Sequence, residues 1–499
     1  MLVEILDAFL AIVTSPSSLA IIIGSALVGY LIGVLPGLGV IFGIVVLLPF
    51  TLKLPPEIGI TALMSIFVGA ATGGGLTAAV LGIPGTPMAT ATLLDAYPMS
   101  KRGMPGQAIG TVIIASACGG IFSVLFLTIF APHLASVALN FGAPEFVVLV
   151  LLGLSTVAIV SRGSMAKGFL SAIIGLTIAM VGTDLATAMQ RFTFGVPELA
   201  VGFGLIPVLL GLFAIPEIIA LAEREEKGLG VPVKTFIKSY APKWFTKKDW
   251  QRLWPGLLRS SMIGSTVGAL PGAGADIAAF LSYGEAKRAS KHPEKFGTGI
   301  PEGIVASEAA NSAVPGGALV PTLTLGIPGD AATAIIMGVL FMHGLSPGPT
   351  LYTAHSDVVA YIYVGLFLAI IATMFIGMFL SGPFIALCSL KNSLLVPVVM
   401  LLCVLGVWAV NKSMFDLWTM LAFGLFSYAM RKLEFPLTPI ILGYILGPLL
   451  EQNLRRALTL SDGSLMIFFT RPYSLAIIIL FALMVFGLIK TLKQTAPAK

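Results

Sequence analysis

The sequence is organised as long apolar stretches separated by short polar segments. One stretch, "IIASACGGIFSVLFLTIFAP" (113–132), is long enough to cross a hydrocarbon core of about 30 Å as a helix, and "SLAIIILFALMVFGLI" (474–489) is nearly so. Similar stretches recur along the chain, and they predict roughly 10 to 12 transmembrane helices. The pattern therefore predicts an all-α integral membrane protein.

The composition agrees with this pattern and argues against several other classes of protein. Of the 499 residues, 57% are hydrophobic and 10% are charged, which is more apolar surface than a soluble core can bury. The formal charge of +6 lies in loops rather than on one basic face, so nucleic acid is not a predicted partner. No GxxxxGK(S/T) phosphate loop is present, which argues against an ATP-driven pump.

Cysteine and histidine give no sign of a metal centre. The 3 cysteines lie singly in apolar runs, and the 4 histidines form neither an i,i+4 pair nor an HExxH motif. We therefore predict no metal site and no cofactor.

The polar segments predict how the chain is divided. The segment 222–255 is rich in Lys and Arg, splits the chain into two halves and is predicted to be cytoplasmic. The N-terminal "MLVEILDAFLAIV" carries Glu4 and Asp7 where a secretory signal carries Lys or Arg, so we interpret it as a short first span or an interfacial helix. The predicted parts are an N-terminal helix (1–16), a first repeat (17–221), a basic linker (222–255), a second repeat (256–452) and a C-terminal span with its tail (453–499).

Two motifs occur once in each half, in the same order. "GVLPGLG" (33–39) is matched by "GALPGAG" (268–274), and "GGLTAAVLGIPG" (74–85) is matched by "GGALVPTLTLGIPG" (316–329). A single match between the halves could arise by chance, but two matched motifs in the same order are much less easily explained that way. The chain therefore contains a predicted internal repeat.

The distribution of basic residues favours an inverted arrangement of the two repeats. If each LPGxG is the tip of a helical hairpin, "KRASKHPEK" (287–295) falls on the same side as the basic linker. Lys101 and Arg102 follow the second motif of the first half, whereas the counterpart in the second half (343–357) has no Lys or Arg. In the alternative topology, LPGxG only kinks an ordinary span.

The motifs themselves predict interrupted helices. Proline removes an N–H group and glycine permits positive φ, so these sequences leave backbone groups unpaired at membrane depth. Such backbone persists only where it is buried in protein or lines a wet cavity, and half-helices that begin after a break suit a carboxylate. The alternative is that glycine and proline serve close packing or kinks.

The predicted substrate-binding residues lie at these four breaks, with one amide from the second half. They are Pro36, Gly37, Leu38, Gly39, Gly82, Pro84, Gly85, Thr86, Pro271, Gly272, Ala273, Gly274, Asn311, Pro328 and Gly329. Leu38 carries no polar side chain, so binding at the first tip would depend on the backbone.

Three acids of the second half are predicted to couple a cation to transport. Intramembrane acids are costly and usually mark a pathway, which makes Asp276, Glu308 and Asp330 candidates for binding Na⁺ or a proton. The alternative for Glu308 and Asp276 is that they cap half-helices or pair with loop lysines. Asp95 is interpreted as an interfacial cap.

The motifs resemble those of one transporter family. The stretches "GVLPGLG", "LGIPGTPMATATLLDAYPM", "LPGAGADIAAFLSYGEAKRASKHPEKFGTGIPEGIVASEAANSA" and "LVPTLTLGIPGDAATAIIMGVL", followed by "GLSPGP", are similar to signatures of the large membrane subunit of the tripartite tricarboxylate transporters. The resemblance covers about residues 24–349.

That resemblance implies a bacterial inner-membrane permease. Its implied partners are a small four-span membrane subunit and a periplasmic solute-binding protein, and its implied activity is uptake of a di- or tricarboxylate, or a related organic anion, with Na⁺ or H⁺. Hairpin-bearing inverted repeats indicate, by analogy, an elevator-like movement.

Two other functions are compatible with parts of the sequence. A channel or binding-protein-independent exchanger would share the broken helices and need no partner. An intramembrane enzyme would use the three acids as acid and base, but the sequence shows no nucleophile beside a base, so we do not predict an enzyme.

Overall fold

The chain is described by a computed structural model over residues 2–160, 164–184, 186–226, 241–272, 274–388, 392–480 and 482. Helices dominate these residues, and the strands among them are limited to one two-residue pair. The prediction of an all-α membrane protein is confirmed.

The helices are numbered in chain order. The first ten are α1 (Leu2–Thr14), α2 (Pro16–Val34), α3 (Gly39–Thr51), α4 (Pro56–Leu81), α5 (Leu93–Lys101), α6 (Pro105–Ala138), α7 (Ala143–Val160), α8 (Met165–Ala179), α9 (Leu205–Leu209) and α10 (Ile215–Glu226). The others are α11 (Lys247–Gly268), α12 (Gly274–Ala289), α13 (Pro301–Leu325), α14 (Ala331–Met342), α15 (Pro349–Ala354), α16 (Ser356–Leu387), α17 (Asn392–Asn411), α18 (Met414–Lys432), α19 (Thr438–Leu460) and α20 (Ile467–Thr470).

Shorter elements connect these helices. A π-helical turn (Leu210–Ala214) joins α9 to α10, and β1 (Gly182–Thr183) pairs antiparallel with β2 (Gln190–Arg191). The 3-10 helices are Pro87–Thr90, Pro197–Val201 and Pro293–Lys295.

Six helical segments of the described chain are long and apolar enough to cross a membrane. They are Pro16–Val34, Pro56–Leu81, Pro105–Ala138, Leu205–Glu223, Ser356–Leu387 and Ser393–Asn411. Shorter apolar helices cover Gly39–Thr51, Ala143–Ile159, Met165–Ala179 and Ala331–Met342. The predicted number of roughly 10 to 12 transmembrane helices therefore stays a prediction.

The described chain divides into two compact units. The larger combines Met1–Leu134 with Gly204–Leu433, and the smaller combines Ala135–Phe203 with Glu434–Lys499. The larger unit therefore contains all four predicted breaks.

Glycines position the long helices of the larger unit. A Cβ at Gly29 or Gly33 of α2 would overlap the carbonyl oxygen of Ile66 or Ala70 on α4, so both positions require glycine. Backbone approach of this kind is typical of packed membrane helices. It holds α2 directly against α4.

In the smaller unit, α19 packs against α7 and α8. The short strand pair is tied to α19 by ion pairs, in which Arg191 Nη1 lies 2.8 Å from Glu451 Oε1 and Arg455 Nη2 lies 2.6 Å from Asp184 Oδ2. These pairs fix the connection between α8 and the 3-10 helix Pro197–Val201.

Two of the predicted segments, the linker and the C-terminal span, lie partly outside the described residues. The linker 222–255 covers the end of α10 and the start of α11, and residues 227–240 lie outside the described chain. After them, the Lys243 N–H donates a 2.8 Å hydrogen bond to the carbonyl oxygen of Gly106 on α6. Half of the predicted C-terminal span (474–489) lies outside the described residues.

Candidate functional site

The first LPGxG motif divides an apolar segment into two helices. α2 ends at Val34, Leu35 is extended, and α3 begins at Gly39. The φ angles of Gly37 and Gly39 are 102° and 71°, which other residues adopt only with strain. The glycines therefore permit the break, and Leu38 between them is buried.

The second LPGxG motif makes the same break. α11 ends at Gly268 and α12 begins at Gly274, and the φ angles of Gly272 and Gly274 are 81° and 66°. Pro271 and Gly272 are half-buried. Ala273, a predicted binding residue, lies outside the described chain.

The two LGIPG motifs also end helices in matching ways. α4 ends at Leu81 and α13 at Leu325, each followed by a left-handed glycine: φ is 70° at Gly82 and 66° at Gly326. Glycine is the usual residue at this position because it carries no Cβ. The chain then passes through Pro84 and Gly85, or Pro328 and Gly329, to a new helix start.

In each half, the structure brings the two breaks together. A Cβ at Gly85 would overlap the carbonyl oxygen of Gly33, and a Cβ at Gly329 would lie 2.5 Å from the carbonyl oxygen of Gly268. In the second half, the Gly272 N–H also donates a 2.7 Å hydrogen bond to the carbonyl oxygen of Gly329. Each pair of motifs thus forms one local structure.

The helices that lead to the breaks make matching contacts as well. A Cβ at Gly264 or Gly268 of α11 would overlap Ala310 or Val314 on α13. Gly29 and Gly33 of α2 have the same relationship to α4. The positions correspond when the motifs are aligned. Side chains also join the two halves: Met88, just after the first LGIPG, packs against the buried cluster that contains Ala275 and Val314.

Open space lies beside the first residue of each half-helix. Apart from the adjoining residues and the helix's own backbone, no atom of the described residues lies within 4 Å of the position that a Cβ would take on Gly39 or on Gly274. The first turn of a helix has N–H groups without intrahelical partners. Donors and room for a ligand therefore coincide at the starts of α3 and α12.

Asp330 caps α14. Its Oδ1 accepts hydrogen bonds of 2.8 Å from both the N–H and the hydroxyl of Thr333, and the Thr333 hydroxyl lies 3.0 Å from the Asp330 nitrogen. At the corresponding position of the first half, Thr86 is buried with its hydroxyl unpaired among the described residues. Capping, which the sequence suggested for Glu308 and Asp276, is thus seen at Asp330, where it was not predicted.

Glu308 is fully buried in the middle of α13, away from the helix breaks in sequence. The Thr92 hydroxyl lies 2.5 Å from its Oε1, and the Ser116 hydroxyl lies 2.8 Å from its Oε2. A Cβ at Gly75 of α4 would lie 2.7 Å from Oε1. Glu308 therefore lies among α4, α6 and the residues just before α5.

Asn311 lies one turn beyond Glu308 and is also fully buried. Its amide is near the Glu308 carboxyl, but neither Nδ2 nor Oδ1 has a hydrogen bond of acceptable geometry among the described residues. An unpaired buried amide costs about 1–3 kcal/mol. A group of this kind is well suited to a ligand that supplies the missing partners.

Asp276 lies in the first turn of α12 and is half-buried. It is close enough to Asp330 for the two carboxyl groups to interact electrostatically. Among the described residues, no group of three or more His, Cys, Asp or Glu side chains is arranged to hold a metal ion.

Comparison with known proteins identifies the family. The sequence profile of the Tripartite tricarboxylate transporter TctA family matches residues 19–442. The chain belongs to this family. The resemblance predicted from the motifs is thereby confirmed, and the family is one of transporters whose complexes contain other subunits.

Two relatives of this TctA-family chain come from Agrobacterium vitis. An uncharacterized 52.8 kDa protein in the TAR-I ttuC′ 3′ region is 35% identical over 461 residues, which cover 91% of this chain and 89% of the relative. An uncharacterized protein in the TAR-II ttuC′ 3′ region is 34% identical over 223 residues, covering 43% of this chain and 89% of the relative. No solved structure matches the chain.

Asp95 has a larger role in this TctA-family fold than the interfacial cap predicted from the sequence. It is fully buried, and its carboxylate accepts hydrogen bonds from the Tyr283 hydroxyl (2.8 Å) and from the N–H groups of Gly297 (3.0 Å), Gly299 (2.7 Å) and Ile300 (3.0 Å). It therefore fastens α5 to the loop that precedes α13.

Thr92 and Ser116, which hold Glu308, were also missed. Both lie in apolar runs, far from Glu308 in sequence, where a hydroxyl usually bonds to its own helix. No local pattern marks them, since the contact depends on how α6 and the start of α5 pack against α13.

Proposed function

We propose that this chain is the permease subunit of a binding-protein-dependent secondary transporter in the bacterial cytoplasmic membrane. It imports a di- or tricarboxylate, or a related organic anion, by symport with Na⁺ or H⁺. Its proposed partners are a small four-span membrane subunit and a periplasmic solute-binding protein. Family membership supports the transporter class, and the paired helix breaks support the location of the site.

The observation that carries the proposal is the contact between the two breaks in each half. Where Gly33 meets Gly85, and where Gly268 meets Gly329, the helices α3, α12 and α14 all begin near a break. Helix N-termini offer N–H donors and a partial positive charge to carboxylates. The open space beside Gly39 and Gly274 supplies room for them.

In this proposal, Asn311 completes the anion site. Its amide can donate to a carboxylate and accept from a hydroxyl of the substrate. Asp276, Glu308 and Asp330 serve the coupling cation, because a site that holds negative side chains accepts an organic anion only when cations accompany it. Asp330 does this while it caps α14.

The two halves are proposed to be inverted repeats, with the LPGxG motifs as hairpin tips and an elevator-like movement of the substrate-bearing part. Support comes from the matched contacts, Gly33 with Ala70 and Gly268 with Val314. The exposed Lys291 tests the topology. In a cysteine-free background, a cysteine at this position is expected to react with reagents supplied from the cytoplasm, and reaction only from the periplasm would contradict the hairpin topology.

The function is tested by uptake into cells. Cells that express this chain with its small subunit are supplied with labelled citrate and a panel of dicarboxylates, with and without the periplasmic binding protein, before and after the ion gradients are collapsed. We expect accumulation that requires both the binding protein and a gradient. Transport that requires neither would instead identify a channel or an independent exchanger.

The coupling role is tested with neutral variants of two acids. Asp276→Asn and Asp330→Asn are expected to lose gradient-driven accumulation, although asparagine at position 330 can still cap α14. Normal gradient-dependent accumulation in both variants would show that these acids do not couple a cation.

A further inference from the structure

We propose that Glu308, Thr92, Ser116 and Ser307 form a dry proton-binding site, in which Glu308 carries the proton that is exchanged during transport. The proposal rests on the function proposed above and deepens it, because it selects H⁺ over Na⁺ and names Glu308, among the three acids proposed there, as the group that carries the proton. The hydroxyl groups of this cluster have too few hydrogens to satisfy all of its contacts when Glu308 is ionised.

Thr92 has two oxygen neighbours and one hydrogen to give. Its Oγ1 lies 2.5 Å from Glu308 Oε1 and 3.0 Å from Ser307 Oγ. The Ser307 hydroxyl is within 3.1 Å of the carbonyl oxygens of Gly303 and Ile304, to which it donates within its own helix. Ser307 therefore has no hydrogen left for Thr92.

The contacts are all satisfied only when Glu308 is protonated. The Glu308 carboxylic acid then donates from Oε1 to Thr92, Thr92 donates to Ser307, and Ser307 donates to the backbone of α13. When Glu308 loses its proton, the Thr92 hydroxyl must turn to the carboxylate and its bond to Ser307 is lost. Ser116 donates to Oε2, 2.8 Å away, in both states.

The surroundings of Glu308 favour a proton over a metal cation. Glu308 is fully buried, and within the described part of the chain no Lys, Arg or His forms an ion pair with it. The 2.5 and 2.8 Å separations between the carboxyl oxygens and the hydroxyls are hydrogen-bond distances that leave no space for a cation among these atoms. A buried carboxylate without a cation is costly, so the neutral acid is favoured.

Basic side chains lie on the surrounding helices, but none of those described forms an ion pair with Glu308: Lys101 and His133 are exposed, and Arg252 of α11 pairs with Glu302. Tyr30 of α2 lies within electrostatic range of Glu308, and Asp95 of α5 is occupied by Tyr283 and backbone N–H groups. The remaining titratable side chains on α4, α5, α6 and α13 are Glu57, Tyr97, Lys101, Cys118, His133 and Glu302.

Asn311 provides an independent observation that points to exchange at this position. Its amide is buried, near Glu308 and unpaired among the described residues. When the proton leaves, the Asn311 amide is a donor that can turn to the ionised carboxylate. The protonated Glu308 is thus satisfied by the hydroxyl groups, and the ionised Glu308 can gain the Asn311 amide as an additional donor.

The proton is tested by infrared spectroscopy of the full-length protein in lipid bilayers. Protonated and ionised carboxyl groups absorb at separate frequencies, so the spectrum reports the state of Glu308 without requiring transport. At neutral pH, we expect a protonated-carboxyl band that shifts in heavy water, is absent in Glu308→Gln and is retained in the control Glu294→Gln, since Glu294 is exposed. Spectra of the wild type and Glu308→Gln that match at every pH would overturn the proposal.

A second pair of variants keeps the test informative if Glu308→Gln fails to fold. Thr92→Val removes the hydroxyl that accepts from Glu308, whereas Thr92→Ser retains it. We expect the carboxyl band to move in Thr92→Val and to stay in place in Thr92→Ser. An unchanged band in Thr92→Val, or a band that disappears when Na⁺ is added at fixed pH, would contradict a proton site.

Transport assays separate this proposal from the proposed function. Glu308→Gln is expected to exchange labelled for unlabelled substrate across the membrane but to lose accumulation driven by a proton gradient. If no carboxylate is transported while the band behaves as expected, the assignment of substrate fails and the proton site stands. If carboxylates accumulate but the band is missing, the proposed function stands and the proton site at Glu308 fails.

Discussion

The N–H of Gly272 donates a 2.7 Å hydrogen bond to the carbonyl oxygen of Gly329. The donor belongs to the second LPGxG motif and the acceptor to the second LGIPG motif. Backbone groups released by a helix break need partners at membrane depth, and here one break supplies a partner for the other. Any movement of one of these loops therefore acts on both.

Gly33 tests the importance of the close helix contact. Gly33→Ala is expected to lower the free energy of unfolding by about 1–3 kcal/mol, the usual cost of overpacking, because its Cβ would overlap the Ala70 carbonyl. Gly24 lies in the same helix with no atom within 4 Å of its Cβ position, so Gly24→Ala is the matched control. Thermal unfolding of purified protein measures both, and equal melting temperatures for the two variants would contradict the expected overlap.

The second half allows the same comparison. Gly264→Ala should destabilise by a similar amount, because the added methyl meets the Ala310 carbonyl, whereas Gly284 of α12 has no atom within 4 Å of its Cβ position. Gly284→Ala is therefore expected to be neutral or slightly stabilising, by up to about 1 kcal/mol. A stable Gly264→Ala protein would show that α11 and α13 are not in backbone contact.

Asn311 separates the needs of folding from those of transport. Asn311→Leu removes the unpaired amide at similar volume, so the unfolding free energy should stay the same or rise, by about 1–3 kcal/mol at most. Uptake should be lost, because the substrate no longer has the Asn311 amide to bind. The control is Asn453, whose Nδ2 donates a 2.8 Å bond to Leu449: Asn453→Leu should destabilise. Normal uptake by the Asn311→Leu protein would show that Asn311 is not part of the proposed substrate site.

Asp95 should be essential to the folded state. Asp95→Ala leaves the N–H groups of Gly297, Gly299 and Ile300 without their acceptor, and we expect a loss of about 3 kcal/mol or more. Tyr283→Phe removes one of the same hydrogen bonds and should cost about 1 kcal/mol. The melting temperature should be highest for the wild type, lower for Tyr283→Phe and lowest for Asp95→Ala. Any other order would contradict the role of Asp95 in fastening α5 to the loop before α13.

Asp184 gives the stability of the strand pair a pH dependence. The backbone N–H of Ala186, helped by Thr187 and the Arg455 guanidinium, lowers the pKa of Asp184. An acid with a lowered folded-state pKa contributes stability above its unfolded pKa of about 3.9, and this contribution disappears as the pH falls through the folded-state value. The wild-type melting temperature should therefore fall more steeply than that of Asp184→Asn below about pH 4. Parallel pH profiles would contradict this.

The helix breaks were predictable because their cause is local. Positive φ at Gly37, Gly39, Gly272 and Gly274 follows from a Pro-Gly pair in an apolar run, which the sequence displays directly. The all-α membrane architecture and the family were predictable for the same reason, from apolar periodicity and quoted motifs.

The partners of the buried acids were not predictable, because they depend on long-range packing. Glu308 meets Thr92 and Ser116, and Asp95 meets Tyr283, across large separations in sequence. The sequence identified Asp330 as a possible coupling group, and only the geometry revealed that it caps α14 through its bonds to Thr333. The roles assigned to the binding and coupling residues stay predictions.

The glycine contacts between α2 and α4, and between α11 and α13, consist of backbone against backbone. Such a seam contains no rotamers that can adjust, so it cannot be repacked in small steps and is either kept or lost as a whole. A conformational cycle that preserves the fold must leave both pairs intact. Each helix pair is therefore expected to move as one rigid body that ends at its glycine-containing break, and a larger residue at any of these seam glycines is expected to force the two helices apart.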